Sequence, residues 1–254
     1  MVDYPLPMLR LKIDVTYNID IRGSFAVGSG FRRGMLQKTV LRDEKGYPLL
    51  PASVLKGRAR DAAERFARTL QIPVCENSPH PKQMCGAKTF DELPCLVCRT
   101  FGTPGRSSNS EEMGLIWRDA QLVDENDEAV TEAASYLGFY SERTHVQISR
   151  RRGMAMEQRL FTEELTKDRL RFKGRVRGWL AVASDQAQKY PKEVLLLLAS
   201  LKLLNFVGSG KSRGLGLCTV GFHQVDIGEE FNASPDKIFA ASEAWIRGLK
   251  GAEK

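Results

Sequence analysis

Four glycines, Lys211 and Arg213 fall within the nine residues from Gly208 to Gly216. Glycine lets a backbone approach a ligand closely and take φ > 0. Successive N–H groups in such a turn form a concave nest for anions. The chemistry this suits is the holding of a phosphate, with Gly208, Ser209, Gly210, Lys211, Ser212 and Arg213 as the candidates. Gly210-Lys211-Ser212 ends like a P-loop, but the first glycine of that motif would fall at position 205, which is Asn. The order of elements also disagrees, because a P-loop follows a strand and opens a helix. Here the run follows a long apolar segment, Pro191 to Val207, that reads as a helix with proline near its start, and precedes a strand-like Leu215 to Val225. That order argues against a nucleotide hydrolase. A glycine helix cap with a tight turn is the plain alternative, although a cap needs one glycine and no cations.

Three further groups carry charge in patterns that could bind nucleic acid. Lys56, Arg58 and Arg60 surround Gly57 near the start of a helix for which Ser53 is the expected N-cap. Arg58 and Arg60 lie about 200° apart on such a helix, so a regular first turn does not deliver both to one site. Arg143, His145, Arg150, Arg151, Arg152 and Arg159 form the densest basic cluster, with Met154 and Met156 just after Gly153. A basic hairpin with a flexible apolar tip suits insertion between bases; a mobile exposed loop is the alternative. Arg169, Arg171, Lys173, Arg175 and Arg177 alternate with apolar residues and glycines and therefore share one face of a strand. Such a face matches backbone phosphates rather than base edges, or it is simply a solubilising surface.

Cys75, Cys85, Cys95 and Cys98 lie in a stretch without hydrophobic periodicity, and Cys95-Leu-Val-Cys98 is a C-x-x-C pair. Four thiolates there suit a closed, tetrahedral, structural Zn²⁺ site, with His80 able to replace one of them. Cys218 falls in a strand and reads as a core residue. Catalytic arrangements are lacking: His80, His145 and His223 are isolated, and only His145 sits among cations.

The elements that must position these groups follow from periodicity. Leu9 to Tyr17 alternates as a half-buried strand, residues 23–34 form a flexible glycine-rich loop with Arg32 and Arg33, and Thr39 to Arg42 is a short strand. A helix runs from Ser53 to about Leu70, residues 71–110 are an insertion, and Met113 to Val123 is one strand. Residues 124–135 are acidic and loop-like, Leu170 to Val182 alternates strictly, and a last helix starts near Ser234-Pro235. Strands interleaved with two or three helices predict an α+β sandwich of ferredoxin-like (RRM-like) type, with the sheet face opposite the helices open to a ligand. The net charge of +7 and pI near 9.2 call for an acidic partner, nucleic acid first and an anionic membrane surface second. The chain begins without a signal-like apolar core, and the run 194–207 is short and contains Lys202, so a cytoplasmic protein outside the membrane is expected, its cysteines reduced.

Together these blocks resemble the RAMP superfamily of CRISPR effector proteins. The resemblance is nearest to the guide-RNA-binding backbone subunit of type III or type III-derived (type III-D-like or type VII-like) complexes. It rests on the glycine-rich loop at 28–34, Val40-Leu-Arg-Asp43, Pro48-Leu-Leu-Pro-Ala-Ser-Val-Leu-Lys-Gly-Arg-Ala-Arg60, Cys98-Arg-Thr-Phe-Gly102, Leu115-Ile-Trp-Arg-Asp-Ala120, the basic segment 143–161 and Gly208 to Gly216, in that order. It implies one RAMP domain over 1–254: a ferredoxin-like palm, a β-hairpin thumb at 143–161 that kinks the guide, and a zinc-binding insertion at 71–110. It implies guide contacts from Ser53, Lys56, Arg58, Arg60 and the loop Gly208 to Arg213. The implied partners are guide RNA, target RNA, further copies of the chain, other effector subunits and a separate nuclease. Slicing members carry an Asp six residues before the position of Asp43; here it is Gln37, and no Asp or Glu occurs between Asp20 and Asp43. Metal-dependent cleavage needs such a carboxylate, so binding without slicing is expected. Two enzymatic alternatives stand beside this: guide-precursor processing with His145 as general base, and slicing through Asp43 or Glu44.

Overall fold

The period-two alternation of the first strand builds the frame. The computed structural model describes residues 8–30, 36–75, 85, 94–103, 114–130, 136–167, 169–183, 190–228, 234, 236–240 and 243. Strand β1 (Met8–Ile21) buries Leu11, Ile13, Val15, Tyr17, Ile19 and Ile21 on one face and turns Lys12, Asp14, Thr16, Asn18 and Asp20 to the other. It pairs antiparallel with β7 (Leu170–Ala183) on one side and with β8 (Cys218–Ile227) on the other. The far edge of β7 takes two short antiparallel strands, β3 (Gly114–Trp117) and β4 (Gln121–Val123). The sheet order is β3–β7–β1–β8, with β4 on β7. Helices α1 (Ala52–Thr69), α2 (Leu96–Phe101) and α4 (Lys192–Lys202) pack against one another and against the apolar face, closing one continuous core.

A second sheet, β2–β6–β5, stands apart. It consists of β2 (Leu36–Lys38), parallel to β6 (Ala155–Thr166), and β5 (Tyr140–Ile148), antiparallel to β6. A single helical turn, α3 (Tyr136–Phe139), leads into β5. No helix among the described residues is long and apolar enough to cross a membrane.

Several local expectations shift. The helix begins at Ala52 with Pro51 as N-cap, and Ser53 lies inside its first turn. The terminal donor is satisfied from a distance instead: Ala52 N–H donates to Asp119 Oδ1 at 2.7 Å. The described part of the strand expected from Met113 to Val123 divides into β3 and β4, with Arg118 and the capping Asp119 between them. Residues 39–42 carry isolated bridges at Val40 and Arg42, while the strand proper is Leu36–Lys38. The described part of the 23–34 loop is fastened on both sides, with Leu41 N–H donating to Val27 O at 2.8 Å and Ser29 N–H to Thr39 O at 3.0 Å. These hydrogen bonds give that glycine-rich stretch backbone partners in residues 39–41 that its glycine content alone does not foretell. Of the final helix, residues 236–240 are described.

Gly174 of β7 lies opposite Tyr17, and a Cβ there would sit 2.7 Å from the phenol ring, which is fully buried. Gly174→Ala is therefore expected to destabilise by about 1–3 kcal/mol through overpacking. Gly221→Ala, where a Cβ meets nothing within 4 Å, serves as the control in urea unfolding. Equal midpoints for the two variants would contradict this packing argument.

Candidate functional site

The glycine loop is met from two sides, by Arg58 of α1 at Gly208 and by the base of the β5–β6 hairpin at Arg213. The loop begins after α4 and Val207. Its glycines have two separate causes. At Gly208 a Cβ would lie 2.4 Å from Ala26 O, and at Gly216 it would lie 1.9 Å from Val207 O, so both positions admit no side chain. Gly210 and Gly214, both left-handed, bracket a 3₁₀ turn at Lys211–Arg213. Much of the expected anion nest is already engaged within the protein. Ser209 N–H donates to Ala26 O, Gly216 N–H to Ser24 O, Arg213 and Leu215 N–H to Gly210 O, and Gly214 N–H to Lys211 O. The outward chemistry of the loop lies in the exposed side chains of Lys211, Ser212 and Arg213, while Ser209 Oγ donates to Ala26 O at 3.2 Å. Lys211 Nζ also stands 5.1 Å from the centroid of the Phe206 ring.

Arg213 reaches the hairpin. Its Nη1 donates to Glu163 Oε1 at 3.0 Å, and the same oxygen lies 2.8 Å from His145 Nε2. Glu163 is almost wholly buried, whereas the Arg213 side chain is 43% and that of His145 23% exposed, so the carboxylate is the internal post on which two surface groups turn. The His145 ring stacks on its cross-strand partner Phe161 at 5.2 Å. The neighbouring Glu164, fully buried, accepts from Val40 N–H at 2.8 Å and pairs with Arg42, which itself lies over the Tyr140 ring. Buried carboxylates need such partners. The hairpin base is tied as well to the first loop, where Phe25 N–H donates to Thr166 Oγ1 at 3.0 Å. Glu163 and Glu164 escaped the sequence reading, although two adjacent acids directly after the basic segment 143–161 were a signal.

Beyond this base β5 and β6 continue as an antiparallel pair to their turn. Arg150, Arg151 and Arg152 form its exposed turn, with Ile148, Met154 and Met156 exposed beside them. The cations of α1 divide. Arg58 Nη2 donates to Gly208 O at 3.0 Å and so joins the glycine loop. Arg60 turns the other way, donating from Nε to Glu64 Oε1 at 3.0 Å and from Nη1 to Gly102 O at 2.9 Å. Lys56, four residues before Arg60, is half-buried and its pKa is lowered by desolvation and then by the Arg60 charge. Ser53 is exposed, and Arg32 and Arg33 lie outside the described residues.

The alternating cations of β7 do share the face opposite the helices, but β1 supplies acids beside them. Arg171 pairs with Asp20 at 2.6 Å and Arg175 Nε with Asp14 Oδ1 at 2.8 Å, while Lys173 Nζ donates to Asp127 O at 3.3 Å. That strand is therefore not the bare phosphate track its own sequence suggests. The contact with Arg175 holds Asp14 below its ordinary carboxylate range.

The cysteines converge. The Sγ atoms of Cys75, Cys85, Cys95 and Cys98 all lie within 4.8 Å of one another. Cys75 Sγ is 3.5 Å from Cys98 Sγ and 3.8 Å from Cys95 Sγ, and Cys95 N–H donates to Cys85 Sγ at 3.3 Å. Four thiolates around one tetrahedral ion with metal–sulfur bonds of about 2.3 Å stand about 3.8 Å apart, so the donor set and spacing fit a metal ion. Cys95 opens α2, which puts Cys98 one turn further on the same helix. The hydrogen bond from Cys98 is the main cause that brings the Cys95 thiol down to about 4, while donating it pushes Cys98 up. Cys218 is buried in β8 and stands apart from the cluster, as a core residue. His80 lies outside the described residues.

Asp43, the candidate for an alternative slicing site, caps its own turn: Oδ1 accepts from Lys45 N–H at 2.9 Å and Tyr47 N–H at 2.8 Å. Gln37 is exposed on β2.

No curated protein matches the chain. Among solved structures, a chain of type III-B Cmr-beta in its apo state is similar at 12% identity, over 83% of this chain and 97% of that one, with a TM-score of 0.51. A chain of type III-B Cmr-beta bound to cognate target RNA is similar at 14% identity, over 82% and 96%, with a TM-score of 0.49. At such identities the likeness is one of fold. The model of the RAMP superfamily matches residues 18–219, most of the sequence and every element from the end of β1 to the start of β8. The chain belongs to the RAMP superfamily.

Proposed function

We propose that this protein is a guide-RNA-binding backbone subunit of a type III or type III-derived CRISPR effector complex, that it presents the guide for pairing with target RNA, and that it does not slice. The observation that carries the reading is the glycine loop, which takes Arg58 of α1 at Gly208, presents Lys211, and joins the hairpin through Arg213 at Glu163, the carboxylate that also meets His145. Cations gathered on a rigid scaffold bind phosphates irrespective of sequence, leaving recognition to base pairing. The strand order β8–β1–β7–β3, with every neighbour antiparallel, supports a ferredoxin-like palm. The β5–β6 hairpin is its thumb. Guide contacts are assigned to Ser53, Lys56, Arg58, the loop Gly208 to Arg213, and the hairpin cations Arg150, Arg151 and Arg152, with Met154 and Met156 wedging between bases. A chain of type III-B Cmr-beta shares the fold at a TM-score of 0.51, in keeping with a type III effector, and the partners proposed are target RNA, further copies of this chain, other effector subunits and a separate nuclease. The cysteine cluster would hold Zn²⁺, binding it as thiolates and folding the insertion around it. The whole assembly would work in the cytoplasm.

A processing role has one observation in its favour: Glu163 orients the His145 ring at 2.8 Å, as a base is positioned for proton transfer. Slicing through Asp43 is disfavoured because its carboxylate caps a turn.

The deciding experiment co-expresses the protein and its partner subunits with and without a CRISPR array, then sequences the bound nucleic acid. Array-derived RNA of discrete length is expected, and adding target RNA with Mg²⁺ should give no cleavage by this subunit. Protein without RNA under both conditions would overturn the backbone role. Precursor processing that disappears in His145→Ala would move the function to an endoribonuclease.

A further inference from the structure

Arg60 has the charge of an RNA contact but not its surroundings. Its side chain is 18% exposed, and its three donor nitrogens are all directed inward. Nε meets Glu64 Oε1, a carboxylate 7% exposed, Nη1 meets Gly102 O at the end of α2, and Nη2 meets Cys98 Sγ at 3.4 Å. Glu64 lies one turn further along α1, so the pair fixes the guanidinium against its own helix. The remaining two donors straddle α2, taking the sulfur of Cys98 and the carbonyl that follows Phe101.

This contact has a physical purpose if the cluster holds a divalent ion. Four thiolates around such an ion leave a net charge of about −2 in a site where Cys85 and Cys98 are buried. Uncompensated buried charge is costly. A guanidinium that donates to a ligand sulfur lowers that cost, and its fixed fork also orients the ligand. We infer that Arg60 is the outer-sphere partner of the metal site: it offsets the thiolate charge through Cys98 and fastens the metal-bearing segment to α1, the helix that carries Arg58 to the glycine loop. The inference rests on the reading of the cysteine cluster as a metal site, and it removes Arg60 from the RNA contacts that its sequence context suggests.

The test uses the purified full chain. Zn(II) affinity is measured by competition with a chromophoric chelator, and Co(II) reports the environment of the thiolates through its sulfur-to-metal charge-transfer band. Arg60→Met is expected to weaken Zn(II) binding by about 10–100-fold and to shift the Co(II) band. Arg60→Lys, which keeps the charge without the fork, should lose less. Arg65→Met is the control, since Arg65 lies on the same helix but pairs with Asp61 at 3.0 Å, and wild-type affinity is expected. Wild-type affinity and an unchanged band in Arg60→Met overturn the inference. Should Arg60→Met fail to fold, Arg60→Lys decides: a wild-type affinity and band there overturn it, and a weakened affinity supports it. A wild-type protein that takes up neither ion in stoichiometric amount defeats the metal reading itself, and that result appears before any substitution is made.

Discussion

Cys98→Ser is expected to abolish stoichiometric metal binding and to lower the melting temperature by about 10 °C, the largest stability effect of any single substitution considered for this chain. Structural zinc sites contribute on the order of 10 kcal/mol of apparent binding energy, comparable to the whole stability of a domain. Only part of that is felt here, because α2 also packs on α1 and α4 and its Arg99 pairs with buried Glu193 at 3.0 Å. A loss of roughly 3 kcal/mol corresponds to about 6–12 °C for a protein of this size. Chelation of the wild type should reproduce the shift. Cys218→Ser removes a buried thiol outside the cluster and should leave metal content intact while costing some core stability. The measurement is metal content by elemental analysis beside thermal melts with and without chelator. Full metal content in Cys98→Ser, or a melting temperature indifferent to chelator, would refute the structural role.

Replacing Arg150, Arg151 and Arg152 together by Ala is expected to weaken guide RNA binding on the order of 100-fold near physiological salt. Each phosphate contact on a single strand contributes about 0.7 to the slope of log affinity against log salt. Three lost contacts should therefore flatten that slope by about 2. The three residues form the exposed turn of the hairpin, so the variant should keep its fold and melting temperature. Met154→Ala with Met156→Ala is the informative contrast. Both side chains are exposed at the tip and carry no charge, so a wedge role predicts weaker binding with an unchanged slope. An unaltered slope in the triple-arginine variant would place the RNA elsewhere on the surface.

The elements were legible wherever a local rule governs them. The alternation of Leu9 to Tyr17 and of Leu170 to Val182 marked the two central strands because side chains of a strand alternate across the sheet irrespective of partner. The apolar run after Pro191 marked α4 for a similar reason, its composition suiting a helix buried on the sheet. The four cysteines declared their chemistry through residue type alone, since few other roles gather thiols in a segment with no core pattern. Boundaries were less secure. The start of α1 moved because its cap, Asp119, lies 67 positions away and no local pattern announces it.

The sequence by itself determined the α+β class, the basic hairpin, the cysteine centre, the absence of a carboxylate from 21 to 42 and the family, since all of these reside in residue type, order and short-range period. Tertiary structure alone decided what each charge faces. It sent Arg58 to the glycine loop and Arg60 to Cys98. It neutralised much of the β7 cation face with acids from β1, and it set Gly208 and Gly216 against the backbone of Ala26 and Val207. It placed Glu163 between His145 and Arg213, residues 68 positions apart. The physical reason is common to all of these. A charge is assigned its role by the partner within a few ångströms, and in an antiparallel sheet crossed by helices that partner is delivered by chain segments far away in sequence.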